Sequence, residues 1–299
     1  MATLYTLESK NVHRTWALMA FFFAIVIAIG FAFDRVYDVP GVLYFAIIFS
    51  IAMNFFAYWY SDKIVIALAG AKPATREEYF NFYTVTENLC IAAGLPMPKL
   101  YVMEDPVPNA FATGRNKEHA VVAATTGLLA MMDRAELEGV VAHELSHIGN
   151  RDILLSTIAV VLVGFISLLS NLFLRMSAFG GRRDDREGGG GLQGIIVMAG
   201  FVLAILAPFA ATLTQLAISR RREYLADACG ALLTRYPEGL AKALEKIEAH
   251  EAPMRTTNNA IAHIYLNDPY GSKRKRSWLN FLMTHPPIEE RIALLRKAA

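Results

Sequence analysis

The sequence predicts a mainly α-helical integral membrane protein, with about four transmembrane helices and a soluble α+β domain that contains a small β-sheet. The chain is 55% hydrophobic and only 19% charged, whereas soluble domains are typically about 25% charged. Its hydrophobic residues are concentrated in four long runs that contain no charged residue. The net charge of +2, without a dense basic face, excludes a nucleic-acid partner.

The first two runs predict an N-terminal transmembrane hairpin over residues 1–60. Residues 16–33 and 39–60 are uncharged, and a short turn at residues 34–38 joins them. No small-residue cleavage site follows the first run, and the second run begins at once. We therefore expect a retained membrane span rather than a signal peptide.

The other two runs predict a second transmembrane hairpin over residues 153–218. As a helix, the segment 153–174 is long enough to cross a bilayer, and Pro208 in the segment 192–218 is compatible with a kinked membrane helix. In the Arg/Gly loop 175–191 between them, the glycine run 188–191 is predicted to be a flexible linker rather than a phosphate-binding loop. The alternative is a hairpin that does not fully span the membrane.

Lysines and arginines beside the runs indicate how the chain is oriented. They flank the runs on the sides of the N-terminus, the middle domain and the C-terminal domain. The positive-inside rule therefore places these three parts in the cytoplasm. The arginines of the loop 175–191 disagree with this rule, although neighbouring acidic residues partly balance them.

Helix and strand signals predict a soluble domain over residues 61–152. Residues 75–78 have the pattern of a capping box, which predicts the start of a helix that ends at Gly94 and Pro96. A small sheet is predicted from three short β-prone runs, at 99–103, 110–113 and 119–124.

The next helix of this domain carries the main chemical signal. Asp133 and Glu136 form a capping box at its start, and we expect it to continue without a break into the third membrane span. His143, Glu144 and His147 form an H-E-x-x-H pattern on this helix. Residues four apart lie on one helix face, so the two imidazoles can bind one Zn²⁺, and the glutamate can take a proton from a water at the metal.

A third metal ligand is expected from the C-terminal part, residues 219–299, which is predicted to be helical. Glu223 and Asp227 share one helix face, so Glu223 can reach the metal while Asp227 holds the second nitrogen of a ligand histidine. The alternative is a solvated face with an intrahelical ion pair. Cys90 and Cys229 lack metal-ligand spacing and are expected to be small buried residues in a reducing compartment.

With H-E-L-S-H at 143–147 and S-R-R-R-E-Y-L-A-D at 219–227, the sequence resembles the HtpX heat-shock proteases. These are integral membrane zinc endopeptidases related to the CAAX prenyl proteases, and the resemblance covers nearly the whole chain. It implies a zincin-like metalloprotease domain with one Zn²⁺ per chain. It further implies the following roles: His143, His147 and Glu223 as zinc ligands, Glu144 as catalytic base, and Asp227 as support for a ligand histidine.

The resemblance also implies a cellular role. We expect a multi-pass protein of the plasma (inner) membrane whose active site faces the cytoplasm. Its partners would be the lipid bilayer and unfolded or misassembled protein substrates, including membrane proteins. The sequence does not set the oligomeric state.

Two further sites are predicted around the metal. An oxyanion needs a hydrogen-bond donor besides the metal, and His285 is a candidate because HtpX-like proteins have a similar histidine before their last helix. Arg220 and Tyr224 are alternatives, and a surface role is the alternative for His285. The residues expected to bind an extended peptide, as an edge strand does, are Asn109, Ala110, Phe111 and Ala112. An ordinary short strand is the alternative there.

The basic run 272–278 is predicted either to contact anionic lipid head groups or to be a solvated loop. Three other functions compete with the leading one. A CAAX-type processing protease would typically have more membrane spans than this chain. A catalytically idle membrane scaffold would have no need of Glu144, and a transporter would be expected to carry charged residues within its spans.

Overall fold

The computed structural model describes residues 4–37, 41–180, 219–250, 252–255, 261–271 and 286–297. The helices and strands of these residues are labelled in chain order. The helices are α1 (Leu4–Tyr37), α2 (Val42–Trp59), α3 (Ser61–Ala69), α4 (Phe80–Ala93), α5 (Thr126–Met131), α6 (Arg134–Gly149), α7 (Asp152–Gly180), α8 (Arg220–Thr234), α9 (Pro237–Ala249) and α10 (Ile288–Lys297). The strands are β1 (Lys72–Pro73), β2 (Lys99–Met103), β3 (Ala110–Gly114) and β4 (Ala120–Thr125).

Helices α1 and α2, in the N-terminal part of the chain, pack against each other. The predicted turn at residues 34–38 is wrong, because α1 continues to Tyr37 and the chain enters α2 through Gly41, which has a left-handed φ of 112°. Both helices expose large aromatic side chains, such as Phe21 and Phe45. A surface of this kind is expected where helices contact lipid or another apolar partner.

Within the described residues, one helix is long and apolar enough to cross a membrane, at Ser9–Phe31. Two pairs of consecutive helices, each pair bent at a short break, would each add one span if the pair crosses the membrane as a unit. These pairs are Leu43–Trp59 with Ser61–Ala69, and Arg134–Gly149 with Asp152–Ile166. The fourth predicted span, 192–218, lies outside the described residues. Helix α7 extends to Gly180, so the first residues of the predicted loop 175–191 are helical instead.

The sheet has the strand order β1-β2-β4-β3, with β2 parallel to β4 and the other two pairs antiparallel. The three predicted strands are confirmed, and β3 lies at an edge. Strand β1 was not predicted, since two residues are too few to show a periodic pattern. Alternating side chains of β3 pack on opposite layers: Ala110 and Ala112 lie in the cluster with α6, and Phe111 lies in the cluster with Val160 of α7.

The predicted capping box at residues 75–78 does not cap a helix. Thr75 accepts a hydrogen bond from the Glu78 amide at 3.3 Å within a turn, and α4 begins only at Phe80. The end of α4 is as predicted, since Gly94 follows it in the left-handed conformation. The Asp133 and Glu136 capping box is confirmed at the start of α6, where the two residues bond each other's backbone amides.

The prediction of a continuous helix from residue 143 into the third span is wrong. Helix α6 ends at Gly149 and α7 begins at Asp152, with an angle of 83° between them. Arg151 takes a left-handed φ of 55° at this corner. Gly149 followed by Asn150 is a typical helix ending, and it is the signal that the continuous-helix interpretation missed.

The C-terminal helices pack on α6, and two glycines allow the close approach. A Cβ at Gly230 of α8 would lie 3.1 Å from the His143 amide nitrogen, and one at Gly139 would lie 2.6 Å from the Leu240 amide nitrogen of α9. Helix α8 therefore lies directly against α6 at the level of the H-E-x-x-H pattern. The division of the chain at residues 60, 152 and 218 stays a prediction.

The two cysteines are free thiols. Cys90 is buried as predicted, and burial raises the pKa of its thiol to about 11. Cys229 is only half-buried. A buried thiol of high pKa is a poor nucleophile and a poor metal ligand at neutral pH, which agrees with the inert role expected for Cys90.

Candidate metal centre

His143, His147 and Glu223 converge on one point between α6 and α8. The two Nε2 atoms lie 3.2 Å apart, and the Glu223 carboxylate oxygens lie 3.8 Å from His143 Nε2 and 3.6 Å from His147 Nε2. One ligand atom of each residue lies within 4.8 Å of the other two. On a tetrahedral zinc ion, two imidazole nitrogens are roughly 3.3 Å apart, so this donor set fits the predicted metal.

The local structure explains why these three side chains meet. The histidines are one turn apart on α6, where an i, i+4 pair shares a face. Glu223 lies in the first turn of α8, and the contact of Gly230 with α6 holds that helix close. The packing of α6 against α8 therefore brings together residues that are about 80 positions apart in the sequence.

Each of the two histidines has its other ring nitrogen held by an aspartate. His143 Nδ1 donates to Asp227 Oδ1 at 2.9 Å, and His147 Nδ1 donates to Asp152 Oδ2 at 3.2 Å. With Nδ1 protonated, Nε2 of each ring keeps its lone pair for a cation. The Asp227 contact was predicted, whereas Asp152, at the start of α7, was not.

A buried arginine from the last helix stands behind Asp227. Arg291 is 0% exposed, and its Nε and Nη2 atoms donate to the two Asp227 oxygens at 2.8 and 2.6 Å. Its Nη1 lies 3.9 Å from Glu223 Oε2. Burial alone would raise the pKa of Asp227, but Arg291 and then His143 hold it at about 2. Asp227 is therefore a permanent anion behind His143.

The sequence analysis gave no role to Arg291, which lies in the last helix. Ile288, Ile292 and Leu295 form an apolar face of this helix, and Arg291 belongs to the same face by spacing. A charged residue on an apolar helix face is a signal for a buried ion pair, and it could have found this residue.

Asp152 is held by groups from two other helices. Its Oδ1 accepts a hydrogen bond from Asn11 Nδ2 of α1 at 2.7 Å and lies 3.6 Å from Arg222 Nε of α8. Asn11 Nδ2 also donates to the Asn150 carbonyl at 3.1 Å, at the corner between α6 and α7. Nothing in the spacing of the sequence connects these residues, so sequence reasoning could not find them.

Glu144 lies in the same pocket and is 3% exposed. Its pKa is raised, first by burial and then by the Glu223 carboxylate, against the opposing effects of the two histidines and Arg291. Burial also acts to lower the pKa of His147, but Asp152, Glu223 and Glu144 together raise it to about 9. The three carboxylates therefore make the electrostatic potential at this imidazole negative, and a negative potential attracts a cation.

The segment 261–271 forms one wall of the pocket and covers part of the predicted peptide-binding edge. The Leu266 amide donates to the Ala110 carbonyl at 2.8 Å, and the Asn109 side chain exchanges hydrogen bonds with Asn267 at 2.9 and 3.1 Å. Asn109, Ala110 and Phe111 are buried away from the pocket, and Ala112 alone of the four predicted residues lines it.

The candidates for an oxyanion donor lie in different places. His285 is outside the described residues, as is the basic run 272–278. Tyr224 donates its hydroxyl to Glu290 at 2.7 Å, and neither Tyr224 nor Arg220 is among the described residues that line the pocket. His263 does line it, although its isolated position in the sequence gave no reason to assign it a role.

Comparisons with known proteins identify relatives along nearly the whole length of the chain. The model of peptidase family M48 matches residues 81–299. The "Protease HtpX homolog" of Thermoanaerobacter pseudethanolicus is 46% identical to this chain, and the match covers 98% of this chain and 97% of the relative. The "Protease HtpX homolog" of Streptococcus gordonii is 43% identical, and the match covers 98% of this chain and 99% of the relative. The crystal structure of Ste24p from S. mikatae superposes with a TM-score of 0.52 at 18% identity, which shows a likeness of fold. The superposition covers 98% of this chain and 66% of the Ste24p chain, which is slightly under two thirds.

Proposed function

The chain belongs to peptidase family M48 as a membrane-bound metalloendopeptidase of the HtpX type, and we propose that it cleaves peptide bonds with one zinc ion and Glu144 as general base. The observation that carries the proposal is the convergence of His143, His147 and Glu223 within 4.8 Å, in a pocket that Glu144 also lines. Two imidazoles and one carboxylate are a common ligand set of catalytic zinc sites with an open fourth position.

Zinc bound there would activate a water molecule and polarise the scissile carbonyl. Glu144 would accept a proton from the attacking water and pass it to the leaving amine. The position of Glu144, next to His143 in sequence and in the lining of the same pocket, suits both steps. Asp227 and Asp152 would keep both histidine rings in the tautomer that presents Nε2.

An extended substrate would lie beside β3 at Ala112. Ala110 already accepts a hydrogen bond from Leu266 across the free edge, and Ala112, two residues on, faces the same edge. Main-chain pairing at this point would bring a peptide to the pocket with little demand on its sequence. His285 remains the proposed oxyanion donor, and this role is supported by the resemblance alone.

The orientation in the membrane is proposed from the contact between α1 and the site. Asn11 lies near the start of the candidate span Ser9–Phe31 and touches Asp152, so the metal centre lies at the N-terminal end of that span. Lys10 and Arg14 at this end favour the cytoplasmic side. We infer about four spans in the plasma (inner) membrane, with the active site facing the cytoplasm.

The proposed substrates are misfolded or misassembled proteins, including membrane proteins. This class is supported by the HtpX relatives and by a binding edge that uses backbone groups rather than side chains. The comparisons give no better support to the alternative of a CAAX-type processing protease. The intact site argues against a catalytically idle scaffold.

Casein cleavage and zinc content, measured on the full chain in detergent, test the proposal. The wild-type protein is expected to bind one zinc per chain and to cleave casein. Glu144→Gln is expected to keep the zinc and to cleave casein about 10²–10⁴-fold more slowly, which is the usual contribution of a general base. Equal cleavage by both proteins would contradict the assignment of Glu144, and a wild-type protein that takes up no zinc would contradict the metal site.

A further inference from the structure

The support of His147 extends into the first helix of the chain. Asp152 Oδ2 accepts from the His147 ring, and Asp152 Oδ1 accepts from Asn11 of α1 at 2.7 Å. Asn11 is 6% exposed, although it lies near the start of a candidate membrane span. A buried amide in such a helix is expected to have a specific partner, because an unpaired polar group is costly there.

The geometry distinguishes a role at the metal site from a purely structural one. If Asn11 only stabilised the corner between α6 and α7, its hydrogen bond to the Asn150 carbonyl, at 3.1 Å, would be sufficient. The shorter of the two bonds goes to the carboxylate whose other oxygen holds the metal ligand. An amide that donates to an anion forms the stronger kind of hydrogen bond, so it restricts the carboxylate and, through it, the imidazole.

We propose that Asn11 is a positioning residue for the metal site, which fixes Asp152 and thereby the ring of His147. The first membrane helix then completes the metal centre rather than serving as an anchor alone. The inference rests on the proposed function, because the orientation of His147 matters only if that residue binds the metal. Displacement of α1 from α7 would weaken metal binding without a change in any ligand.

Zinc affinity of the full chain in detergent, measured by competition with a chromogenic chelator, tests this inference. All variants carry Glu144→Gln, so that self-cleavage does not interfere. Asn11→Leu is expected to weaken zinc binding about tenfold, at the lower end of the range for partners of ligand histidines. The matched control is Thr15→Val, since Thr15 is buried one turn further along α1 and donates to the Asn11 carbonyl at 2.9 Å.

Two further measurements separate positioning from loss of structure. The double variant Asn11→Leu/Asp152→Asn should bind zinc almost as tightly as Asp152→Asn alone, because both substitutions break the same chain of contacts. The absorption bands of the Co²⁺-loaded protein should shift in Asn11→Leu and not in Thr15→Val. Asn11→Ser, which removes the amide with less added bulk, takes the place of Asn11→Leu if the leucine variant does not fold.

Zinc affinity that is equal in the parent, in Thr15→Val and in the Asn11 variants would overturn the inference and leave the metal assignment intact. Fully additive losses for Asn11 and Asp152 would also overturn it. A parent protein that binds no zinc would instead contradict the proposed function itself, and the inference with it.

Discussion

The two histidines of the candidate metal centre are supported in the same way by opposite ends of the chain. Behind His143, Asp227 is held by the buried guanidinium of Arg291 from α10, through two short hydrogen bonds. Behind His147, Asp152 is held by the neutral amide of Asn11 from α1, and Arg222 is 3.6 Å away. We call these two sets the His143 arm and the His147 arm.

The difference between the arms is one of charge and of location. The His143 arm ends in a bidentate ion pair inside the C-terminal helices, which is a strong and rigid kind of contact. The His147 arm ends in a single amide bond to a helix that is long and apolar enough to span a membrane. The first arm is therefore expected to be fixed by folding of the domain, and the second by the docking of α1.

Removal of the metal is expected to have the largest effect, because both arms orient proposed ligands of the same ion. Excess chelator should abolish casein cleavage, and added zinc should restore it. The melting temperature should fall as well, since a ligand at about 100 times its Kd stabilises the native state by about 2.7 kcal/mol. Cleavage that survives complete removal of zinc, checked by metal analysis, would mean that neither arm serves catalysis.

Among single substitutions in the two arms, Arg291→Met should cause the largest loss of folding stability. It leaves the Asp227 and Glu223 carboxylates buried without their guanidinium, and breaking such a pair costs about 3–5 kcal/mol. The loss should be smaller in the zinc-loaded protein, because the cation offsets part of the uncompensated charge. Thermal unfolding with and without zinc measures both values. An equal and small loss in the two states would show that the His143 arm does not depend on this ion pair.

Asp227→Asn and Asp152→Asn compare the arms directly. Each should weaken zinc binding by about 10–100-fold, because each frees the ring of a ligand histidine. Asp227→Asn should also lower the stability of the metal-free protein, since Arg291 then loses its anion, whereas Asp152→Asn leaves no fully buried cation alone. Chelator competition and thermal unfolding give the two readouts. Equal loss of stability in both variants would remove the distinction between the arms.

Arg296→Met should have the smallest effect, although Arg296 lies on the same helix as Arg291. Its guanidinium is half-exposed and pairs with Glu238 and Glu245 at the surface. Exposed pairs contribute about 0–1 kcal/mol, so zinc affinity and activity should match those of the wild type. A loss as large as that of Arg291→Met would show that any change in α10 disturbs the site.

Sequence reasoning found the residues that follow a short pattern. The i, i+4 spacing placed His143 and His147 on one face, and the resemblance implied the roles proposed for Glu223 and Asp227. It also predicted three of the four strands and the Asp133 capping box. These features depend on neighbours in the sequence, which a single chain displays.

The features that it missed depend on tertiary contacts or on a signal that was overlooked. Asn11, Asp152 and Arg291 reach the site only because helices from both ends of the chain pack on α6 and α7. No spacing relates residue 11 to residue 152. The corner at Gly149 and Asn150 was predictable from helix-ending preferences, and it matters because it turns Asp152 back towards His147.

X-ray absorption at the zinc edge of the zinc-loaded full chain, in the Glu144→Gln background, tests the central claim most directly. That claim is that two histidines and one carboxylate, held between α6 and α8, bind one metal ion. We predict two imidazole nitrogens at about 2.0–2.1 Å, oxygen ligands in the remaining positions and no sulfur. A single imidazole, a third imidazole or a thiolate ligand would contradict the claim.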